Sequence, residues 1–281
     1  MKKKHHLPFQ ILFEDDDVIV IEKPAGLLAT HTKLVGRLAR ESQLTAENLL
    51  NDYVRKGQAK SKKRVWLVHR LDRETSGVMM FAKSEEVAEK FRADWASLTE
   101  KTYRARVEGL LEEESGAFES YLLEDADGYR VRSVRVGLGS DRVGLGSGKV
   151  GVASYRGIST LKIPKATLKA TEDPNVKPKI SKATLKDAKD PKARIGKLAR
   201  TEWRRLSTTD GTTLVEVKLK TGRKNQIRVH FSEAGHPVIG DEKYGGERAS
   251  RLYLHALSLR FRHPRTGEWL EFTAPPPKGL T

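Results

Sequence analysis

The chain has 281 residues, with 53 Lys/Arg against 37 Asp/Glu, a net of +16, and no cysteine. The missing cysteines exclude disulfides, thiolate nucleophiles and cysteine-held zinc; no apolar run approaches the ~18 residues of a membrane helix, and the basic start from Met1 to His6 lacks the apolar stretch of a secretory signal. The positive excess points to an anionic partner, nucleic acid first.

In chain order, Val18-Ile19-Val20-Ile21 lies between Asp15-Asp16-Asp17 and Pro24-Ala25-Gly26 and predicts a buried strand entering a turn. Thr45 is placed to cap a helix whose inner face carries Leu49, Leu50, Tyr53 and Val54. Val65 to Val68 and Val78 to Ala82 predict two more buried strands, joined by the polar run His69 to Gly77. Ser84 opens a helix with Val87, Phe91, Trp95 and Leu98 on one stripe. Tyr103 to Val107 and Leu214 to Leu219 alternate like half-exposed strands. Ile227, Phe231 and Ala234 form a short helical stripe that stops at Gly235. Leu252 to Arg262 and Trp269 to Thr273 flank His263-Pro264-Arg265-Thr266-Gly267, a hairpin signal. Many strands, few helices and no regular βαβ alternation predict an α+β fold with a mainly antiparallel sheet and flanking helices.

Between these halves the composition changes. Residues 135–200 hold 16 Lys/Arg and 5 Asp/Glu, so +11 of the +16 sits there, with Tyr155 as the one aromatic. Val136-Gly137-Leu138-Gly139-Ser140 recurs at 143–147, and Lys165-Ala166-Thr167-Leu168-Lys169 at 182–186. So little apolar surface cannot offset the entropy of ordering, which predicts a flexible insertion over 135–196. Two readings of it stay open: a cationic tether that grips phosphates, or a solvated loop grown by duplication. The expected organisation is a basic tail over 1–10 and one catalytic domain built from 11–134 and 197–281.

Two stretches carry the chemistry. In His69-Arg70-Leu71-Asp72-Arg73-Glu74-Thr75-Ser76-Gly77, Asp72 lies between two guanidiniums that favour its charged form. A carboxylate on a rigid loop can serve as nucleophile or base; the bland alternative is a salt-bridge cluster at a strand end. In Thr221-Gly222-Arg223-Lys224-Asn225-Gln226-Ile227-Arg228-Val229-His230, three cations gather at a helix start, where anions are normally favoured. Phosphate binding, or pairing with a buried carboxylate such as Asp72, supplies a reason; a solvated basic turn is the alternative. No dinucleotide or Walker loop is present, the histidines lack metal-ligand spacing, and Ser76 shows no base partner in sequence.

With these runs in view, the chain resembles the RluA-type family of RNA pseudouridine synthases. Asp16 to Gly26 is similar to its first motif, His69 to Gly77 to its second, and Thr221 to His230 with Gly235 to Asp241 and Tyr244-Gly245 to its third. Lys101-Thr102-Tyr103 with Ala105 and Val107 is similar to its tyrosine strand, and Phe261 to Glu268 to its C-terminal hairpin. The resemblance implies the pseudouridine synthase fold; with only about ten residues ahead of the first motif, no S4-type domain is expected to precede it. It implies catalytic roles for Asp72, Tyr103 and Arg228: Asp72 the essential carboxylate, Tyr103 the stacking ring with a hydroxyl available for later proton removal, Arg228 the partner of Asp72. It implies that Ile227 packs beneath the base and that His69, Arg70, Arg73, Arg223 and Gln226 shape the substrate-binding site. Neither cofactor nor metal is expected. The expected partner is rRNA, tRNA or both, met by a cytoplasmic monomer without membrane contact. Asn225 stands where the family most often has histidine. Two other readings are an inactive basic RNA-binding protein on the same fold and a two-carboxylate glycosidase, which would need a second acid beyond Glu74.

Overall fold

The computed structural model describes residues 7–31, 44–58, 60–125, 129–137, 160–162 and 196–281. Alternation along β5 (Thr99–Glu108) sets the sheet: Lys101, Tyr103, Ala105 and Val107 point inward, while the residues between them are more exposed. The other strands are β1 (Gln10–Glu14), β2 (Val18–Lys23), β3 (Trp66–Leu67), β4 (Ser76–Ala82), β6 (Ser115–Glu124), β7 (Val131–Gly137), β8 (Thr160–Lys162), β9 (Lys197–Thr209), β10 (Thr212–Leu219), β11 (Leu254–Arg262) and β12 (Trp269–Thr273). They form one sheet in the order β1-β2-β4-β11-β5-β10-β9-β6-β7-β8, with β12 paired to β11 and β3 to β4. Among the described strands only β4 with β11 and β7 with β8 run parallel. The α+β fold with a mainly antiparallel sheet is therefore as expected.

The apolar runs of β2 and β4 are explained by burial on both faces. Ile19, Ile21, Met79 and Phe81 join a core with α1 (Ala46–Arg55) and α4 (Gln226–Glu233). Val18, Val20, Val78 and Met80 face a second core with α2 (Glu85–Ala93), α3 (Trp95–Leu98) and the β11–β12 hairpin. Thr45 caps α1 as its sequence predicts, its Oγ1 accepting from the Asn48 amide at 3.1 Å.

Two predicted elements differ. The stripe from Val87 to Leu98 is two helices, not one, because Asp94 leaves the helical region at φ −141°, ψ 51°. The run 65–68 pairs over Trp66 and Leu67 only. The same edge of β4 is taken by β11 at Ser76 and Gly77, and the intervening Met80 amide donates to Nε2 of His69 at 3.0 Å.

Of the insertion, β7 reaches Gly137 and β8 lies beside its end; the expectation of flexibility for the rest falls outside the described residues. Asp15, Asp17 and His263 come close together, but their groups are spent on one another: Arg265 takes Asp17 in a bidentate grip at 2.7 and 2.8 Å, and His263 Nε2 meets Asp15 at 2.8 Å. They tie the 15–17 turn to the C-terminal hairpin. No helix among the described residues is long and apolar enough to cross a membrane.

Candidate active site

The loop between β3 and β4 is held from below. Gly26 N–H donates to the Arg73 carbonyl at 2.8 Å, and Arg73 Nε returns a bond to the Gly26 carbonyl at 3.0 Å. Lys23, fully buried at the end of β2, donates to the carbonyls of Pro24, Leu27 and Arg73 at 2.8, 2.8 and 3.1 Å. Three acceptors match the three N–H groups of an ammonium. Burial lowers this lysine to about 8, with the charges of Asp72 and Glu74 working against the shift. At the loop's exit Gly77 has φ +116°, and a Cβ there would fall 2.1 Å from the Ala256 carbonyl oxygen. Only glycine fits this strand start.

The facing wall is the turn from β10 into α4. Gln226 is buried and its amide is fully used: Oε1 accepts from Thr221 Oγ1 and the Arg223 amide, while Nε2 donates to Thr201 and the Arg200 carbonyl. Asn225 sits in the left-handed region at φ 53°, which asparagine tolerates better than most residues. Its Nδ2 donates to Tyr244 Oη at 2.8 Å and its Oδ1 accepts from Arg228 Nη1 at 3.3 Å.

Arg228, buried in the first turn of α4, joins the walls. It donates to Asp241 through Nε at 2.7 Å and Nη2 at 2.6 Å, lies 5.2 Å from the Tyr244 ring centre, and reaches Asp72 Oδ2 with Nη1 at 3.5 Å. Burial opposes its charge, but the hydrogen bonds and charge of Asp241, then Asp72 and Glu74, outweigh burial and raise its pKa. The buried carboxylate that the sequence calls for is thus chiefly Asp241, with Asp72 the looser second partner. Tyr103 is buried on the same cleft; burial first and the Asp72 charge second push its phenol well above the ordinary range, so it stays neutral. His69 stacks on Trp95 at 4.6 Å. Burial, then the Lys101 charge, depress it to about 3, in keeping with a ring nitrogen that accepts from Met80.

Asp72, His69, Tyr103 and Arg228 share one cleft of about 1140 Å³. Of the residues singled out in sequence, His69, Arg70, Asp72, Tyr103, Arg223, Gln226, Ile227 and Arg228 all line it. Arg73 does not line it; its guanidinium is used on Gly26, so it builds the loop. The sequence reading missed Asp241, Lys23 and the Tyr244 contact, whose one signal was a lone Arg228 in need of a buried acid. Ser76 does have a histidine, at 2.8 Å from Nδ1 of His255, contrary to the sequence reading. Its Oγ also accepts from Arg251, and His255 Nε2 faces the Ala274 carbonyl, so the pair lacks an acid and lies buried outside the cleft lining. Glu74 is exposed outside the lining, and of the other acids that line the cleft Glu100 is paired with Arg260 at 3.2 Å and Glu124 with Lys224 at 3.8 Å.

The profile of the RNA pseudouridylate synthase family matches residues 17–233. The chain is 30% identical to the dual-specificity RNA pseudouridine synthase RluA of Vibrio parahaemolyticus, over 92% of this chain and 80% of that one. It is 29% identical to the tRNA pseudouridine synthase C of the same organism (94% and 89% covered), and 28% identical to an uncharacterized RNA pseudouridine synthase, YlyB, of Bacillus subtilis (98% and 71%). Among solved structures it shares the fold of human RNA pseudouridylate synthase domain containing 4, with a TM-score of 0.61 at 21% identity over 96% of this chain and 89% of that one. A polar loop that brings Asp72 to a cleft shared with Tyr103 and Arg228, on a chain matched over most of its length, places the protein in the RluA-type family of RNA pseudouridine synthases, isomerases that convert uridine in RNA to pseudouridine.

Proposed function

We propose that Asp72 is the carboxylate that acts on a flipped-out uridine of rRNA or tRNA, with Tyr103 and Arg228 as its catalytic partners. The observation that carries this is the 3.5 Å contact from Asp72 to an arginine already fixed by Asp241, in a cleft that Tyr103 also lines. In the reaction the N1–C1′ bond breaks, the base turns, and C5 bonds to C1′. The C5 proton leaves and N1 gains one, so substrate and product are isomers and neither oxidant nor water enters the balance.

A base within a helix is out of reach, so the uridine is extruded at a cost of a few kcal/mol and stacks on Tyr103 over Ile227. Asp72 then acts at C1′ as nucleophile or at C2′ as base. Arg228 holds it in place and keeps the pocket's charge in balance as the ribose turns positive. Gln226, His69 and Arg73 hold loop and turn in shape, while Arg70 and Arg223 stand at the cleft for phosphates. The targets follow from the relatives' names, one for tRNA and one, from Pasteurella multocida, for the ribosomal large subunit. The enzyme is read as a cytoplasmic monomer.

Asp72→Asn is the test. Pseudouridine formation on RNA from cells lacking this gene is expected to fall below detection, with RNA affinity within about threefold of the parent; a variant that still isomerises removes Asp72 from this role. Mapping pseudouridines across total RNA with and without the gene names the target.

We further propose that 135–196 is an insertion into one catalytic domain and adds RNA affinity. Strands β7 and β9 both flank β6, so they lie ~10 Å apart and run the same way. A bare deletion of 140–195 leaves too little chain to cross, so the proper variant replaces it with a ten-residue Gly/Ser linker. That variant is expected to fold and to bind RNA more weakly; failure to fold would make the segment structural.

A further inference from the structure

Lys101 is nine-tenths buried and lines the cleft, yet among the described residues its ammonium has neither a hydrogen bond nor an ion pair. Its one neighbour of note is the Trp95 ring, 5.7 Å from Nζ. A buried cation without an anion is costly, and a cation–π contact recovers only part of that. The nearby charge makes it worse: Arg223 repels it, and its own Nε is used on the Leu198 carbonyl. The cleft's acids are engaged elsewhere, Asp72 with Arg228, Glu100 with Arg260 at 3.2 Å and Glu124 with Lys224 at 3.8 Å, while Glu271 is exposed and pairs with neither cation. Gly222 keeps the approach open, since a Cβ there would lie 3.1 Å from Nζ.

We propose that Lys101 and Arg223 seat a backbone phosphate of the RNA directly beside the target uridine. The proposal rests on the isomerase reading, because it takes the uridine to lie on Tyr103. Lys101 and Tyr103 share the inward face of β5, two residues and therefore ~7 Å apart, the scale of one nucleotide step. With the base on Tyr103, the adjoining phosphate comes to Nζ and supplies the anion that the protein withholds. Trp95, stacked on His69, fixes the far side of the ammonium. This makes Lys101 a substrate-binding residue that sets which nucleotide enters the pocket.

The probe is [5-³H]uridine-labelled total RNA from cells lacking this gene, read by tritium release. Lys101→Met is expected to raise KM about tenfold with kcat moving less than threefold. The slope of log KM against log salt should fall by ~0.7, one phosphate contact on single-stranded RNA. Lys101→Arg should recover most of the KM. Lys101→Met should also melt no lower than the parent, since it removes a charge that the empty protein leaves unmatched. An unchanged KM and salt slope, or a lower melting temperature with no recovery by Lys101→Arg, overturns the phosphate seat. Lys101→Gln gives the same reading if the methionine variant does not fold. If the parent releases no tritium, the isomerase reading fails; filter binding of the same RNA then decides the phosphate seat alone, equal affinity of parent and Lys101→Met refuting it.

Discussion

Arg228 grips Asp241 with two hydrogen bonds of 2.7 and 2.6 Å and meets Asp72 with its remaining nitrogen at 3.5 Å. The order matters. The tight pair is buried and fixes the guanidinium plane, so the face offered to Asp72 is set before any substrate arrives. A buried pair stripped of one partner leaves an unmatched charge that costs about 3–5 kcal/mol.

Asp241→Asn is therefore expected to lose about 3 kcal/mol of stability and to lower kcat about 100-fold, although Asp241 lies outside the cleft lining. Urea unfolding and tritium release measure the two effects separately. Arg228→Lys should do no better, because a single ammonium cannot span both carboxylates. Near-parental kcat in Asp241→Asn would mean that Asp72 needs no such support.

Tyr103 offers a ring and a hydroxyl, and the two separate by substitution. Its phenol is held neutral by burial and by Asp72, so in the resting enzyme it is a poor base. Tyr103→Phe keeps the stacking face: KM should stay within about threefold while kcat falls about 100-fold if the hydroxyl relays the C5 proton. Tyr103→Ala should lose the platform too, with KM rising about tenfold, in line with ~1–3 kcal/mol for a stacked base. Equal kcat in the parent and Tyr103→Phe would assign the residue to stacking alone.

Three glycines grade the backbone's tolerance. At Gly77 an added Cβ meets the Ala256 carbonyl oxygen at 2.1 Å, and at Gly240 it meets that of Arg251 at 1.9 Å. Both also have positive φ, and both abut the site, one at the end of the Asp72 loop and one beside Asp241. Alanine at either should cost more than about 3 kcal/mol or abolish soluble expression. Gly57 shares the positive φ, 75°, but an added Cβ there meets nothing, so Gly57→Ala should cost only about 1 kcal/mol. Melting temperatures of the three variants test that ranking.

What the sequence discloses depends on how many faces a segment buries. β2 and β4 read clearly because both faces are covered, and the Trp269–Thr273 strand because its turn is marked by Pro264 and Gly267. β6 and β9 carry no such signal. β9 buries Ala199, Thr201 and Trp203 between Arg200, Glu202 and Arg204, and a buried threonine breaks the apolar half of that alternation. The break at Asp94 was hidden because Phe91, Trp95 and Leu98 pack on one core from two helices. Within the site, Asp72 stood out as a carboxylate among cations between apolar strands. Asp241 did not, because its burial is created by α4 folding over it and nothing local announces that. Lys23 reads as the charged end of a strand; two of its carbonyl partners, Pro24 and Leu27, lie in its own turn, but the third, Arg73, arrives only with the Asp72 loop.

Two histidines make the fold sensitive to acid. His230 is buried between Thr201 at 2.8 Å and Ser120 at 3.0 Å, and burial lowers it to about 4; His69 is lowered to about 3 by burial and then by Lys101. In the unfolded chain both titrate near 6.5. Above that pH neither form holds the extra protons and the histidines leave stability unchanged. Between 6.5 and 4 the unfolded chain takes up two protons that the folded protein refuses, so stability falls as pH falls. The slope approaches ~2.7 kcal/mol per pH unit from these two groups, and it halves below about 4 as His230 accepts its proton in the folded state. His230→Gln removes one of the two protons, so its stability should fall ~1.4 kcal/mol per unit less steeply between pH 6.5 and 5, whatever it loses at pH 7.5. Urea titrations of parent and variant at pH 7.5, 6.5, 5.75 and 5 give both slopes. Parallel slopes would show that His230 takes up its proton in the folded state and that burial does not hold it neutral.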